Sequence, residues 1–339
     1  MPNAEPVAVI GAGSWGTALA ILLARNGLAV RLWGHDAAHM ADLARARRNP
    51  LHLPDIPFPA NLDAAADLPL LCASGLDFLL AVPSLFFRET LNALRAAGLR
   101  EGATLAWGTK GLDAETGTLL SEAVRSVFAD SVRPAVVSGP SFAGEVARGL
   151  PTALTVAADE PVVAERVASW LRNSRVRVYT NDDMTGVQLG GAIKNVIALA
   201  AGISNGLGFG ANARAALITR GLAEMTRLGA ALGGRAETFM GLTGLGDLVL
   251  TCTDTQSRNL RAGMALGQGR PLAEVLREIG QEVEGVHTAR TLYAQVSRRE
   301  LDAPIIEQVY RILHEGVAPQ QAVEELFRRE PRTENASLR

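Results

Sequence analysis

The chain has 339 residues, 33 Lys and Arg against 35 Asp and Glu, 48% hydrophobic and 20% charged residues. At about 150 residues per domain the length suits two domains with sizeable cores, and the composition excludes a mostly disordered chain. The near-balanced charge excludes the broad basic excess of a dedicated nucleic-acid binder, leaving room for a local basic site. In chain order, Val7–Ile10 reads as a short buried strand, Thr17–Asn26 as a helix stopped by Gly27, and Ala29–Trp33 as a second strand. Phe78–Val82, Thr104–Trp107 and Ala135–Ser138 are further strands, each followed by Gly, Pro or Ser and a helical stretch. That alternation with short connections implies parallel pairing and right-handed crossovers. Thr152–Ala157 and Val176–Thr180 add edge strands, whereas Asn49–Asn61, with four prolines, is expected as a loop.

The pattern becomes helical after about Thr185: Gly186–Gly233, Leu272–Ile279, Thr288–Val296, Ile305–Glu315 and Pro319–Arg328 carry apolar residues at helical spacing. The expected division is residues 1–185, an α/β dinucleotide-binding domain, then 186–330, an all-α substrate and catalytic domain, with 331–339 a frayed tail. Two apolar stretches invite a membrane reading. Leu68–Phe87 is interrupted by Asp77 and Pro83, and Asn195–Ala213 holds three Asn and four Gly. A buried strand and a buried helix are expected instead, with no membrane insertion. No basic residue precedes Arg25, and glycines break the first apolar run, so no secretory signal is read. Cys72 and Cys252 are too few for a disulfide framework or a four-Cys zinc site, and suit a reducing compartment. The expected location is the cytoplasm.

Residues 7–16 read V-A-V-I-G-A-G-S-W-G, so Gly11, Gly13 and Gly16 form G-x-G-x-x-G between a strand and a helix. In a Rossmann-type fold the first glycine makes the tight turn, the second admits a pyrophosphate, and the third lets helix and strand pack closely. The helix N-terminus offers free N–H groups to the phosphates. Asp36 stands 20 residues after Gly16, placed for the adenosine ribose, with His35 beside it. A nicotinamide dinucleotide is expected over FAD. Asp36 favours NAD(H). Arg45, Arg47 and Arg48 read as a solvated helix face, yet one could meet the 2′-phosphate of NADP(H), so both cofactors stay open.

Three other segments can carry chemistry. W-G-T-K-G puts Lys110 beyond a strand end, where open α/β sheets bind ligands. Q-L-G-G-A-I-K-N puts Lys194 and Asn195 in an apolar helix, after a Gly190–Gly191 pair that admits a close neighbour. The stretch Thr243–Asn259 gathers Asp247, Ser257, Arg258 and Asn259. A buried Lys194 would have its pKa lowered toward neutrality, suiting proton transfer; its bland reading is a snorkelling surface amine. Asp247 is either a partner for it or a helix cap after Gly246. Arg258 is either a phosphate-binding fork or a surface guanidinium in a polar loop. The five histidines show no metal-ligand spacing, so no metal is expected, and Ser141 lacks the G-x-S-x-G of a nucleophile elbow.

Together these segments make a specific ordered set: G-A-G-S-W-G-T at 11–17, W-G-T-K-G at 107–111, S-G-P-S-F-A at 138–143 and G-V-Q-L-G-G-A-I-K-N at 186–195. It continues with G-F-G-A-N-A-R-A-A-L-I-T-R-G at 208–221, G-L-G-D-L-V-L-T-C-T at 244–253, S-R-N at 257–259 and Q-E-V-E-G at 281–285. The set resembles the NAD(P)-dependent glycerol-3-phosphate dehydrogenases, especially the bacterial form, over nearly the whole chain. The resemblance implies reversible reduction of dihydroxyacetone phosphate to sn-glycerol 3-phosphate, supplying phospholipid synthesis. It implies Lys194 as proton donor and acceptor, with Lys110 and Asp247 completing the catalytic network. Lys110, Gly139, Ser141, Lys194, Asn195, Asp247, Ser257, Arg258 and Asn259 would bind substrate. Gly11, Gly13, Ser14, Trp15, Gly16, His35, Asp36, Lys110, Ala143, Arg258, Glu282 and Glu284 would meet the dinucleotide. A homodimer, a small phosphorylated three-carbon substrate and no nucleic acid are the implied partners. His52 before Leu53-Pro54 and Leu260 after Asn259 depart from the family pattern, away from the proposed chemistry. The competing readings are a related two-domain hydroxy-acid or sugar-phosphate dehydrogenase, and a non-catalytic dinucleotide sensor; the intact Lys110, Lys194, Asp247 and S-R-N set speaks against both.

Overall fold

A computed structural model describes residues 6–329. The expected tail at 331–339 lies outside them. The chain divides into two compact units: residues up to Thr109 with Leu120–Met184, and Lys110–Leu119 with Thr185 onward.

The first unit is built on strands β1 Val7–Ile10, β2 Val30–Trp33, β3 Arg48–Asn49, β4 Leu53–Pro57, β5 Leu62–Ala65, β6 Asp77–Leu80, β7 Ala103–Trp107, β8 Val132–Ser138, β9 Thr152–Ala157 and β10 Val176–Asn181. Eight of them form one sheet in the order β10-β9-β8-β7-β6-β1-β2-β5. β1 lies between β2 and β6, parallel to both. That is the topological switch point, where open α/β sheets bind ligands beyond the strand ends. All four β1 residues are buried, as a strand covered on both faces requires. Helices α1 Ser14–Arg25, α2 Ala37–Ala46, α3 Leu68–Ala73, α4 Phe87–Ala96, α5 Leu120–Phe128, α6 Ala143–Arg148 and α7 Pro161–Leu171 complete the unit.

The parallel expectation holds from β5 through β8 but changes at β9, which pairs antiparallel to β8; β10 then runs parallel to β9. The cause is the short return. α6 has six residues, about 9 Å of helix, and cannot run back along the seven-residue β8, which spans about 23 Å. The proline-rich segment expected as a loop contains β4, paired antiparallel with β3. A two-stranded ribbon leaves each strand one unpaired edge, which tolerates Pro54 and Pro57. α1 begins at Ser14, three residues before its expected start, so the last motif glycine lies inside the helix.

Among the described residues the second unit contains only helices: α8 Met184–Gly206, which starts at the last residue of the first unit, α9 Ala211–Ala231, α10 Ala236–Phe239, a π-helical turn Leu242–Gly246, α11 Asp247–Thr253, α12 Arg258–Gly267, α13 Leu272–Ile279, α14 Glu284–Arg298, α15 Pro304–His314 and α16 Pro319–Arg328. α8 is long and apolar enough to cross a membrane, but its most apolar stretch is wholly buried, as in a core helix. α8 and α12 meet backbone to backbone. A Cβ on Gly202 would lie 2.2 Å from the Leu260 carbonyl oxygen, and one on Gly263 would lie 2.2 Å from that of Leu199. This close approach brings Asn195, at the end of the α8 site segment, to Asn259 at the start of α12.

Candidate active site

The glycine turn of the first unit shows what each glycine is for. Gly11 has φ +114°, and a Cβ there would lie 2.7 Å from the Ala81 carbonyl oxygen; at Gly16 it would lie 1.8 Å from that of Gly11. The protein's own packing therefore demands both. At Gly13 a Cβ would meet nothing within 4 Å. Among the described residues the bareness of Gly13 serves no packing contact, and it leaves the backbone open to a ligand. Among the described residues no side chain caps α1, so its first N–H groups lack a side-chain partner. Ser14 opens the helix, and Trp15 donates Nε1–H to Gly108 O at 3.2 Å, tying the turn to the end of β7. These residues fit a dinucleotide pyrophosphate.

Asp36 and His35 lie exposed just after β2. Asp36 Oδ1 accepts from the Ala38 and His39 amides, so the acid caps α2, and those bonds hold its carboxyl below the usual carboxylate range. Oδ2 takes no part in the cap. Of the three arginines, Arg47 donates to Leu62 O and Pro59 O at 2.7 Å each, and Arg45 pairs with Asp42. Arg48 reaches Pro54 O at 3.4 Å. Arg47 is thus a loop staple rather than a solvated face. Gly139, with φ +121°, follows β8; Ser141 donates Oγ–H to Gly139 O at 3.0 Å, and Ala143 starts α6.

In the second unit Lys110, Lys194 and Asp247 meet. Lys110 Nζ lies 2.6 Å from Asp247 Oδ2, and Lys194 Nζ lies 3.0 Å from Oδ1. One carboxylate bridges two ammonium groups, with Asp247 only 1% exposed. Local sequence explains the placement. Thr243 donates Oγ–H to Val187 O at 2.9 Å, pinning the π turn onto α8, and a Cβ on Gly190 would lie 2.9 Å from Thr243 O. The close neighbour admitted by the glycine pair is therefore another stretch of backbone, and it delivers Asp247 to Lys194. With both carboxylate oxygens engaged by lysines, Asp247 acts as their partner and not as a cap.

Burial pushes the Lys194 pKa down to about 8; Asp247 opposes the fall and Lys110 adds to it. Burial alone would raise Asp247, but the Lys110 and Lys194 charges outweigh it and hold the carboxyl below its ordinary value. Thr251, one helical turn past Asp247, accepts from Lys194 Nζ at 2.8 Å and donates to Asp247 O at 2.6 Å. The sequence reading passed over Thr251, although its i+4 spacing from Asp247 places it on the same helix face. Cys252 is fully buried nearby, its thiol pushed up to about 12 by desolvation.

Arg258 and Asn259 do not sit in a loop; they form the first turn of α12, capped by Ser257 Oγ, which accepts from the Leu260 amide at 3.2 Å. Arg258 is partly exposed and reaches Gln281 Oε1 at 3.4 Å. Burial lowers its pKa while Glu284 and Glu282 raise it, and the guanidinium stays charged at neutral pH. Glu282 pairs with His287 at 3.3 Å, which raises the histidine and lowers the acid. Among the described residues no group of three His, Cys, Asp or Glu could hold a metal.

A nicotinamide-dependent oxidoreductase acting on a CH–OH group needs a phosphate-binding turn and a proton-transferring group; the first unit has a bare glycine turn and the second a buried lysine pair bridged by aspartate. The chain belongs to the NAD-dependent glycerol-3-phosphate dehydrogenase family, whose N-terminal model matches residues 6–164 and C-terminal model residues 183–324. It is similar to glycerol-3-phosphate dehydrogenase (NAD(P)+) of Thioalkalivibrio sulfidiphilus, 57% identical over 330 residues, covering 97% of this chain and 98% of the relative. The same-named protein of Methylococcus capsulatus is 53% identical over 97% of this chain and 98% of its own. Among solved structures, glycerol-3-phosphate dehydrogenase from Coxiella burnetii superposes with TM-score 0.93 at 47% identity, over 97% of this chain and 100% of that one.

Proposed function

We propose that this protein reversibly reduces dihydroxyacetone phosphate to sn-glycerol 3-phosphate with NADH or NADPH, in the cytoplasm and as a homodimer, supplying the glycerol backbone of phospholipids. The observation that carries the reading is the Lys110–Asp247–Lys194 bridge with Lys194 near neutrality. A bound reduced nicotinamide supplies the hydride. As hydride adds to the carbonyl carbon, charge builds on its oxygen, and the Lys194 ammonium gives that oxygen a proton, becoming neutral. In reverse, neutral Lys194 takes the hydroxyl proton. A pKa of about 8 lets one group serve both directions. Asp247 orients Lys194 and balances its charge, and Lys110 adds a second cation at the developing oxyanion.

Arg258 offers a planar fork to the substrate phosphate, joined by Asn259, Asn195 and the hydroxyl hydrogen that Ser257 does not use in capping. Gly139 and Ser141 complete the substrate contacts. Gly11, Gly13, Ser14, Trp15 and Gly16 hold the pyrophosphate, His35 and Asp36 the adenosine side, with Ala143, Lys110, Arg258, Glu282 and Glu284 further along the dinucleotide. Asp36 Oδ2, unused by the cap, favours a ribose hydroxyl. The test is absorbance at the reduced-nicotinamide band with dihydroxyacetone phosphate and either cofactor. The reading expects substrate-dependent oxidation and glycerol 3-phosphate as product. Dinucleotide binding with no turnover on this substrate would overturn it.

A further inference from the structure

Three helices of the second unit are joined by a buried chain of amides. Asn259 on α12 donates Nδ2–H to Asn195 Oδ1 on α8 at 2.9 Å, and accepts at Oδ1 from the Gly285 amide on α14 at 3.0 Å. Asn195 in turn donates to Gly191 O at 3.3 Å. Both side chains are buried. Each member of the chain adjoins a charged residue in sequence: Lys194, Arg258 and Glu284. Gly285 is the second residue of α14, where an N–H has no partner within its own helix. That donor can only meet an amide oxygen, so it specifies which end of Asn259 faces α14 and turns Nδ2 toward Asn195.

Glycine is required there for space. A Cβ would lie 2.6 Å from Leu199 Cδ1, 2.7 Å from Asn195 O and 2.8 Å from Asn259 Oδ1. The leucine tip can swing aside, but the backbone oxygen cannot. The third atom is the oxygen that the Gly285 amide binds. A side chain at 285 would therefore pry α14 off Asn259 and release the amide. We propose that Gly285 is a positioning residue for substrate-phosphate recognition: its N–H and its missing side chain fix the orientation of Asn259 and the place of the adjoining Arg258. This rests on the assignment of Arg258 and Asn259 to the substrate under Proposed function.

The test compares Gly285→Ala, Leu199→Ala and the double variant, which relieves the leucine contact, by KM and kcat for dihydroxyacetone phosphate and by Tm. In folded protein carrying Gly285→Ala, KM should rise about tenfold with kcat within about threefold, as for lost substrate binding. Leu199→Ala alone should lower Tm and leave KM unchanged, separating positioning from packing. A KM within about twofold of wild type in the folded double variant would overturn the proposal. A second readout needs no turnover: in Asn259→Ala the peptide containing the Gly285 amide should exchange hydrogen about tenfold faster. Unchanged exchange would overturn the coupling. Failure of wild type to turn over the substrate would instead remove the functional assignment, and with it the phosphate role.

Discussion

Asp247→Asn keeps the shape of the bridging side chain and removes its charge. Two ammonium groups then face one buried neutral amide. At 3.0 Å and an effective dielectric of about 20, the lost attraction to Lys194 is at most about 5.5 kcal/mol. Carboxylate–cation pairs in proteins shift pKa values by about 1–3 units, so Lys194 should fall from about 8 to about 5–7. At pH 7 a group at about 8 is about nine-tenths protonated, and one at about 6 only about one-tenth, so protonation alone removes about tenfold of the proton donor. Leaving a buried charge unpaired also costs stability, about 3–5 kcal/mol. The assay is the initial rate of dihydroxyacetone phosphate reduction across pH, with a thermal melt beside it. The alkaline limb, near 8 in wild type, should move down by about 1–3 units. A limb that stays near 8 in folded Asp247→Asn would refute the electrostatic argument.

Lys110→Met should move the same limb the opposite way, because Lys110 lowers the Lys194 pKa and its removal relieves that repulsion; a downward shift would contradict the arrangement. Gly13→Ala should leave Tm unchanged and weaken dinucleotide binding at least about tenfold in a fluorescence titration, whereas Gly16→Ala, 1.8 Å from the Gly11 oxygen, should lower the melting temperature sharply. Equal melts for the two would contradict that division. Glu224 is buried, and its carboxylate oxygens accept from the Ile305 and Ile306 amides; burial nevertheless raises its pKa to about 7. The folded state therefore holds an extra proton between the ordinary carboxylate value and about 7, so this stabilisation is complete below that window and lost as pH rises through it. Urea unfolding across that window should show wild type losing stability relative to Glu224→Gln as pH rises, and parallel curves would contradict the linkage.

The chemistry was more legible than the geometry. The glycine turn marks its strand and its helix through local sterics alone, and the apolar run around Lys194 marks a buried amine. Asp247 stood out as a candidate partner, but its pairing depends on the π turn seating against Gly190, a long-range contact that no local spacing encodes. Lys110 joins the second unit through the excursion Lys110–Leu119, invisible to a division made along the chain. β4 was obscured because prolines mask strand propensity, and a two-stranded ribbon tolerates them. The reversal at β9 depends on the length of α6, and its boundaries are set by packing. Gly285 carried no signal by itself, because its importance lies in what a side chain there would strike.

In the proposed reaction Lys194 transfers the proton while dihydroxyacetone phosphate is reduced. The most direct measurement is substrate-dependent loss of reduced-nicotinamide absorbance by wild type and Lys194→Ala, with dinucleotide binding and Tm confirming that the variant is folded. Turnover is expected in wild type, with a loss of at least about 10²-fold in kcat in the variant. A folded Lys194→Ala that turns over at the wild-type rate would contradict it.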